Sequence, residues 1–544
     1  MIAAVWLLCA STNDPQESSP MAVNPVSLEN AFDVVNPRTG AVLYRVEAPD
    51  SAALISVITA AREAAPALRA MSVAQRLALA GRVKSYLQQH KETIVQRIVD
   101  ETGKPRIEAL MTEIFPSLDL IQYYEKNAEK ILRDQSAPTP MLLMGKKSRI
   151  YYEPLGPVLI ISPWNYPFNL SMTPILTALI AGNPVIFKPS EYTPLKGLLE
   201  EIFQAAGLPE GFVQVVYGAK ETGKRLIDLQ PAKVFFTGSE GAGKAIMAQA
   251  AQYLIPVELE LGGKDPMVVF EDASIPRAVQ GALWGAMTNA GQTCTSVERI
   301  LVQNRIKDEF VLQMKAAIEG LRTAPGTADT SHNKALDMGC MTADFQIAKV
   351  EAQLADAEAK GAKVHCGGKR PDSSHAFPPT LVTDVTPDMA IYGEESFGPL
   401  VTVQGFNDEA EAIRLANDSR YGLCASVWTA DLDRGDRVAR AIVTGGVSVN
   451  NVLATLANAA LPFGGTKYSG MGRYKGPHGL YSFSNVKSIL VDKNSNKKEP
   501  IWYPYSEEKY GLISELIDAS VEGGLKGLLK TILVGMKLDK FTKI

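Results

Sequence analysis

Between residues 158 and 261, five short runs of strand-forming residues alternate with segments of helical periodicity; the runs lie at 158–161, 185–187, 213–217, 234–237 and 257–261. This rhythm constrains the fold more than any other feature, because consecutive parallel strands need a long crossover and a helix is the usual one. A parallel sheet covered by helices is therefore expected. Upstream, residues 51–133 place apolar residues at three- and four-residue spacings, which predicts packed surface helices. A Pro-containing stretch then supplies strand formers at 150–152, the material of an exposed arm. A second α/β stretch follows over 266–461, with helices expected at 306–321 and 345–360. Hydrophobic residues make up 46% of the 544, enough to bury a large core.

Charge excludes one class of partner. With 55 basic against 59 acidic residues the net charge is -4, so no nucleic-acid partner is expected. Five cysteines, Cys9, Cys294, Cys340, Cys366 and Cys424, lie far apart without a CxxC pair. Reduced thiols, a cytoplasmic location and no metal site are the expectation. No apolar run reaches the roughly 18 residues of a membrane span. The first ten residues are apolar, but neither Lys nor Arg precedes them, so residues 1–28 are expected to be a disordered tail rather than a secretory signal, with Met21 the more plausible start.

The motifs that carry chemistry fall at strand ends, where ligands of open α/β sheets gather. ISPWNYP places the Asn165 amide directly after the first run. VIFKPSEYTP delivers Lys188, a donor to ribose or phosphate, and Glu191, an acceptor for ribose hydroxyls. FTGSEGAGKAIM has Gly238, Ser239, Gly241 and Gly243 opening a helix; its spacing is GxxGxG rather than GxGxxG, so a standard pyrophosphate clasp is not predicted. VELELGGKDP puts Glu258 and Glu260 on one face of a strand in apolar surroundings, which suits a raised-pKa general base and leaves one of the two as structural. GQTCTSVER sets Cys294 among small polar neighbours, an accessible thiol rather than a packed one. EESFGPL offers Glu395 and Phe397 to a ribose and a flat ring, and LPFGGTKYSGMG is a Gly-rich loop.

Taken in order, PWNYP, KPSE, FTGSEGAG, ELGGK, GQTC, EESFGP and PFGG resemble the aldehyde dehydrogenase superfamily over about residues 32–491, and the C-terminal SGMGRYKGPHGLYSFSNVKS and WYPYS resemble its class 3 and fatty-aldehyde branch. The resemblance implies an α/β fold with a Rossmann-like NAD-binding domain at 29–132 and 151–261 and a catalytic domain at 262–462. It also implies a bridging arm at 133–150 and 480–500 that pairs subunits into a homodimer or homotetramer. NAD is the implied cofactor, with NADP admitted. Ser162, Trp164, Lys188, Glu191, Gly238, Ser239, Glu395 and Phe397 are assigned to it.

In the implied cycle Cys294 attacks an aldehyde, Asn165 and the Cys294 N–H hold the oxyanion, and Glu260 activates water to hydrolyse a thioester. The expected substrate is a medium- or long-chain aliphatic aldehyde. A CoA-acylating enzyme would not need Glu260 as a base, and an inert structural homologue would be expected to lack Cys294, Asn165 or Glu260. Finally, residues 501–544 form an amphipathic extension: Leu525, Leu528, Leu529, Ile532, Leu533 and Met536 share one helical face flanked by Lys526, Lys530, Lys537 and Lys540. That composition suits a helix lying on a lipid surface, the alternative being that the face packs on the protein itself.

Overall fold

The computed structural model describes residues 31–543 apart from 141–142, 144, 324–335, 373 and 494–495. The expected N-terminal tail, Cys9 and Met21 lie outside the described residues.

The runs VLII, VIFK and KVFFT are buried along their whole length, as strands covered on both faces by helices must be. They belong to a six-stranded sheet whose order is Gly470–Met471, Val257–Glu260, Lys233–Thr237, Val158–Ile161, Val185–Lys188 and Val213–Val215. All pairs are parallel except the first, where Gly470 lies opposite Glu260 in an antiparallel register. Each expected run is therefore a strand, the third ending two residues early at Val215.

One face of this sheet is covered by Val73–Thr102, Phe115–Leu132 and the almost wholly buried Asn169–Ala181 helix. Ser51–Ala70 and Lys220–Asp228 contribute to the core on the other face. Val73–Thr102 starts on a reciprocal cap, Ser72 accepting from the Gln75 N–H and Gln75 from the Ser72 N–H, and stops at left-handed Gly103.

A second, seven-stranded sheet has the order Lys363–Cys366, Thr380–Thr383, Leu400–Phe406, Val297–Gln303, Asp265–Val269, Cys424–Trp428 and Gly446–Val449. The helices expected at 306–321 and 345–360 are Asn304–Glu319 and Asp344–Ala359. The arm is a three-stranded sheet in which Lys146–Pro154 lies between Gln135–Ala137 and Ser484–Asp492. Its central strand runs four residues past the expected limit at 150, because Tyr151–Pro154 continue to pair with Ser484–Lys487.

The C-terminal extension is a pair of helices, Glu507–Glu522 and Gly524–Leu538. In the second, Gly527, Thr531, Val534 and Leu538 are buried, and the six apolar residues of the opposite face are exposed, from 38% for Leu528 to 74% for Leu525.

Candidate active site

In the six-stranded sheet the chain runs outward from Val158–Ile161 through the strands at 185 and 213, then returns to lay the strands at 233 and 257 on the other side. The order reverses between Val158–Ile161 and Lys233–Thr237, and the loops leaving those two strands open a crevice at their carboxyl ends. A cavity of about 680 Å³ occupies it, and all eleven residues predicted for the site line it: Cys294, Glu260, Asn165, Ser162, Trp164, Lys188, Glu191, Gly238, Ser239, Glu395 and Phe397.

At one end lie the groups able to do covalent chemistry. Cys294 is half-buried, and Gly263 passes so close to it that a Cβ there would stand 2.3 Å from the Cys294 carbonyl. Burial first, and then the carboxyl groups of Asp265, Glu395 and Glu260, push the thiol pKa up. These surroundings favour the neutral thiol over the thiolate at Cys294. The Asn165 side-chain amide donates to the Gln292 carbonyl at 2.9 Å, two residues before the thiol, which leaves its second N–H for a ligand. Glu260 is buried, and neither of its carboxyl oxygens has a hydrogen-bond partner. Burial, followed by Glu258, raises its pKa well above the carboxylate range, while Arg473 and Lys475 pull the other way. The two glutamates differ in pairing: Glu258 meets Lys233 at 2.6 Å, whereas neither Glu260 oxygen has a partner.

The other end suits a dinucleotide. Lys188 and Glu191 approach to 3.8 Å, and the Lys188 ammonium also donates to the Pro189 carbonyl. Ser239 caps Glu240–Ala251, accepting from the Ala242 N–H, and nothing stands within 4 Å of where a Gly241 Cβ would be, so the helix N-terminus is open to a phosphate. Gly238 has no room for a side chain, since a Cβ would lie 2.4 Å from the Phe236 ring. The Ser162 hydroxyl is engaged by the Leu170 carbonyl. Glu395 accepts from the Gly263 N–H at 2.8 Å, and burial, then Glu298, pushes its carboxyl up to about 7. Phe397 holds a left-handed backbone, φ 53°, fixed by its N–H donating to Glu298, and its ring meets Trp164 edge-on at 5.5 Å. These residues fit NAD(P).

Motif reading missed Tyr192 and Phe345, which extend this aromatic wall, with ring centroids 5.2 Å apart. Tyr192 stands beside Glu191 within the same motif. Phe345 opens an expected helix, but nothing local marked it as facing the cavity.

A parallel-sheet crevice holding a thiol, an amide donor and an unpaired carboxyl is the outline of a dinucleotide-dependent dehydrogenase. The chain belongs to the aldehyde dehydrogenase family, whose model matches residues 23–489, and is accordingly an NAD(P)-dependent enzyme that oxidises an aldehyde. It is similar to the 4,4'-diapolycopene aldehyde oxidase of a Methylomonas species, with 42% identity over 486 residues covering 89% of this chain and 90% of that protein. The chloroplastic betaine aldehyde dehydrogenase of Atriplex hortensis is 33% identical, covering 86% of this chain and 94% of that one. Among solved structures, a betaine aldehyde dehydrogenase of Staphylococcus aureus in complex with NAD+ matches with a TM-score of 0.81 at 32% identity, covering 88% and 98% of the two chains.

Proposed function

We propose that the enzyme oxidises an apolar, medium- or long-chain aliphatic aldehyde to the carboxylic acid through a thiohemiacetal and a thioester on Cys294. The observation that carries the chemistry is the convergence of Cys294, Asn165 and the unpaired Glu260 on one cavity. The Cys294 sulfur bonds to the carbonyl carbon as its proton is released to solvent water. The Asn165 amide and the Cys294 N–H hold the oxyanion, a donor of this kind being worth roughly 3 to 4 kcal/mol. NAD(P), when bound, supplies the hydride acceptor, and the acyl group stays on sulfur. Glu260 then takes a proton from water, whose oxygen attacks the thioester, and the acid leaves as the thiol re-forms. Lys188 and Glu191 hold the adenine-side ribose and Glu395 the nicotinamide-side ribose, with Ser162, Trp164, Gly238, Ser239 and Phe397 around them. The reading divides the chain as its motifs do, with the cofactor domain around the six-stranded sheet and the catalytic domain around the seven-stranded one.

Two observations support the apolar substrate. The relative with 42% identity is an oxidase of 4,4'-diapolycopene aldehyde. The exposed apolar face of Gly524–Leu538 lies in a segment, 524–544, with five lysines against one aspartate, and the neighbouring Ile501, Trp502, Tyr503 and Tyr505 are also exposed. Apolar side chains flanked by lysines and interfacial aromatics are the chemistry that seats a helix on an anionic lipid surface. No helix among the described residues is long and apolar enough to cross a membrane, so the contact proposed is peripheral. The arm supports self-association: Ser484–Asp492 is an edge strand exposing Val486, Leu490 and Val491, which a second copy would cover.

The test is reduced-cofactor absorbance with a series of unbranched aldehydes, with and without CoA. Efficiency rising with chain length and indifferent to CoA is expected. A flat or falling series removes the apolar substrate, and strict dependence on CoA makes the enzyme an acylating one.

A further inference from the structure

Three buried charged residues outside the catalytic set, Lys104, Glu108 and Glu113, surround the loop that carries Asn165. The Lys104 ammonium, 1% exposed, donates to Glu113 at 2.5 Å and to the Asn165 backbone carbonyl at 2.8 Å, and sits 4.2 Å from the centroid of the Tyr166 ring. The other Glu113 oxygen accepts the Phe168 N–H at 3.0 Å and the Asn169 N–H at 2.9 Å. Glu108 accepts from the Asn289 N–H and the Thr288 hydroxyl, both at 3.1 Å, on the turn that leads to Cys294. Asn289 in turn donates its side-chain amide to the Asn165 carbonyl at 3.0 Å.

The backbone explains how two glutamates five positions apart serve one site. At 3.6 residues per turn such positions stand about 140° apart around an α-helix. Here Ala109–Ile114 is a π turn, in which the Phe115 N–H bonds to Leu110 five residues back. That wider turn brings Glu113 round toward the side of Glu108, and single π turns recur at functional sites.

Stability alone does not account for the arrangement. A fully buried ion pair loses so much hydration that apolar residues of similar size usually stabilise as well or better. What apolar residues cannot do is fix a carbonyl and two N–H groups of the Asn165 loop in place.

We propose that Lys104 and the Glu113 that this π turn presents are positioning residues that hold the Asn165 amide where the oxyanion forms. The inference rests on the reading of Asn165 as the oxyanion donor. The experiment is a double-mutant cycle on single-turnover hydride transfer in the full-length enzyme. Asn165→Ala should cost about 10² to 10³ in rate. Lys104→Met should cost at least tenfold while leaving the affinity for NAD and the alkylation rate of Cys294 by iodoacetamide near wild type. The double variant should be no slower than Asn165→Ala alone.

Multiplicative losses in the double variant, or a Lys104→Met enzyme that transfers hydride at the wild-type rate, would overturn the positioning role. Asn165→Ala without loss would instead overturn the oxyanion reading beneath it. If Lys104→Met is recovered unfolded, the isosteric Glu113→Gln, which cannot accept the two loop N–H groups and the ammonium together, carries the same cycle.

Discussion

Because burial and Glu258 hold Glu260 above the carboxylate range, its ionised fraction, the form able to take a proton from water, grows only as pH rises through that raised value. Steady-state turnover should therefore fall as pH drops through it. Glu260→Gln should abolish that limb, giving one burst of reduced cofactor followed by slow turnover in rapid mixing; unchanged steady-state turnover would point to another base. Cys294→Ala should lose dehydrogenation, to below a few per cent, while NAD still binds by titration calorimetry, since the thiol forms the covalent bond but does not clamp the cofactor. NAD should be preferred to NADP because Glu191 repels a 2′-phosphate, and the preference should be modest because Lys188 stands 3.8 Å away. Equal or better efficiency with NADP would reject that role. At this scale the sequence located residues that the structure gathers at the cavity wherever they lie in a motif, as with Asn165, Glu260 and Cys294. It was silent on the Lys104–Glu113 pair, because lysine and glutamate in a helical stretch ordinarily mean a solvated face, and only tertiary packing buries them.

Elements were legible according to how their periodicity meets their surroundings. The parallel strands stand out because burial on both faces demands continuous apolar runs, whereas the end of the third depended on where its neighbour stops pairing. In Gly524–Leu538 the spacing identified an apolar face but could not say what covers it. The companion helix Glu507–Glu522 packs instead against the side bearing Gly527, Thr531 and Val534, where small residues allow close approach, and the leucine-rich side stays outward. Deleting the residues after Gly523 should therefore weaken co-sedimentation with anionic vesicles and lower activity on long aldehydes more than on short ones. Full-length protein that ignores such vesicles at low salt would defeat the lipid contact.

For the whole molecule, the exposed apolar residues Val486, Leu490 and Val491 on the edge strand Ser484–Asp492 of the described sheet predict that sedimentation at micromolar concentration will show a dimer or larger; a monomer would remove the arm from that role. The single antiparallel pairing in the six-stranded sheet has a consequence for the order in which the protein can be made. Gly470–Met471 is the last strand of that sheet, yet it lies against the strand bearing Glu260, more than 200 residues earlier in the chain. A Cβ at Gly470 would stand 2.0 Å from the Leu259 carbonyl, so this is a close backbone contact that other residues do not readily replace. Until the ribosome has delivered residue 471, the strand bearing Glu260 lacks this partner and leaves an open sheet edge. That edge is closed only when almost all of the family-matched length, residues 23–489, has emerged.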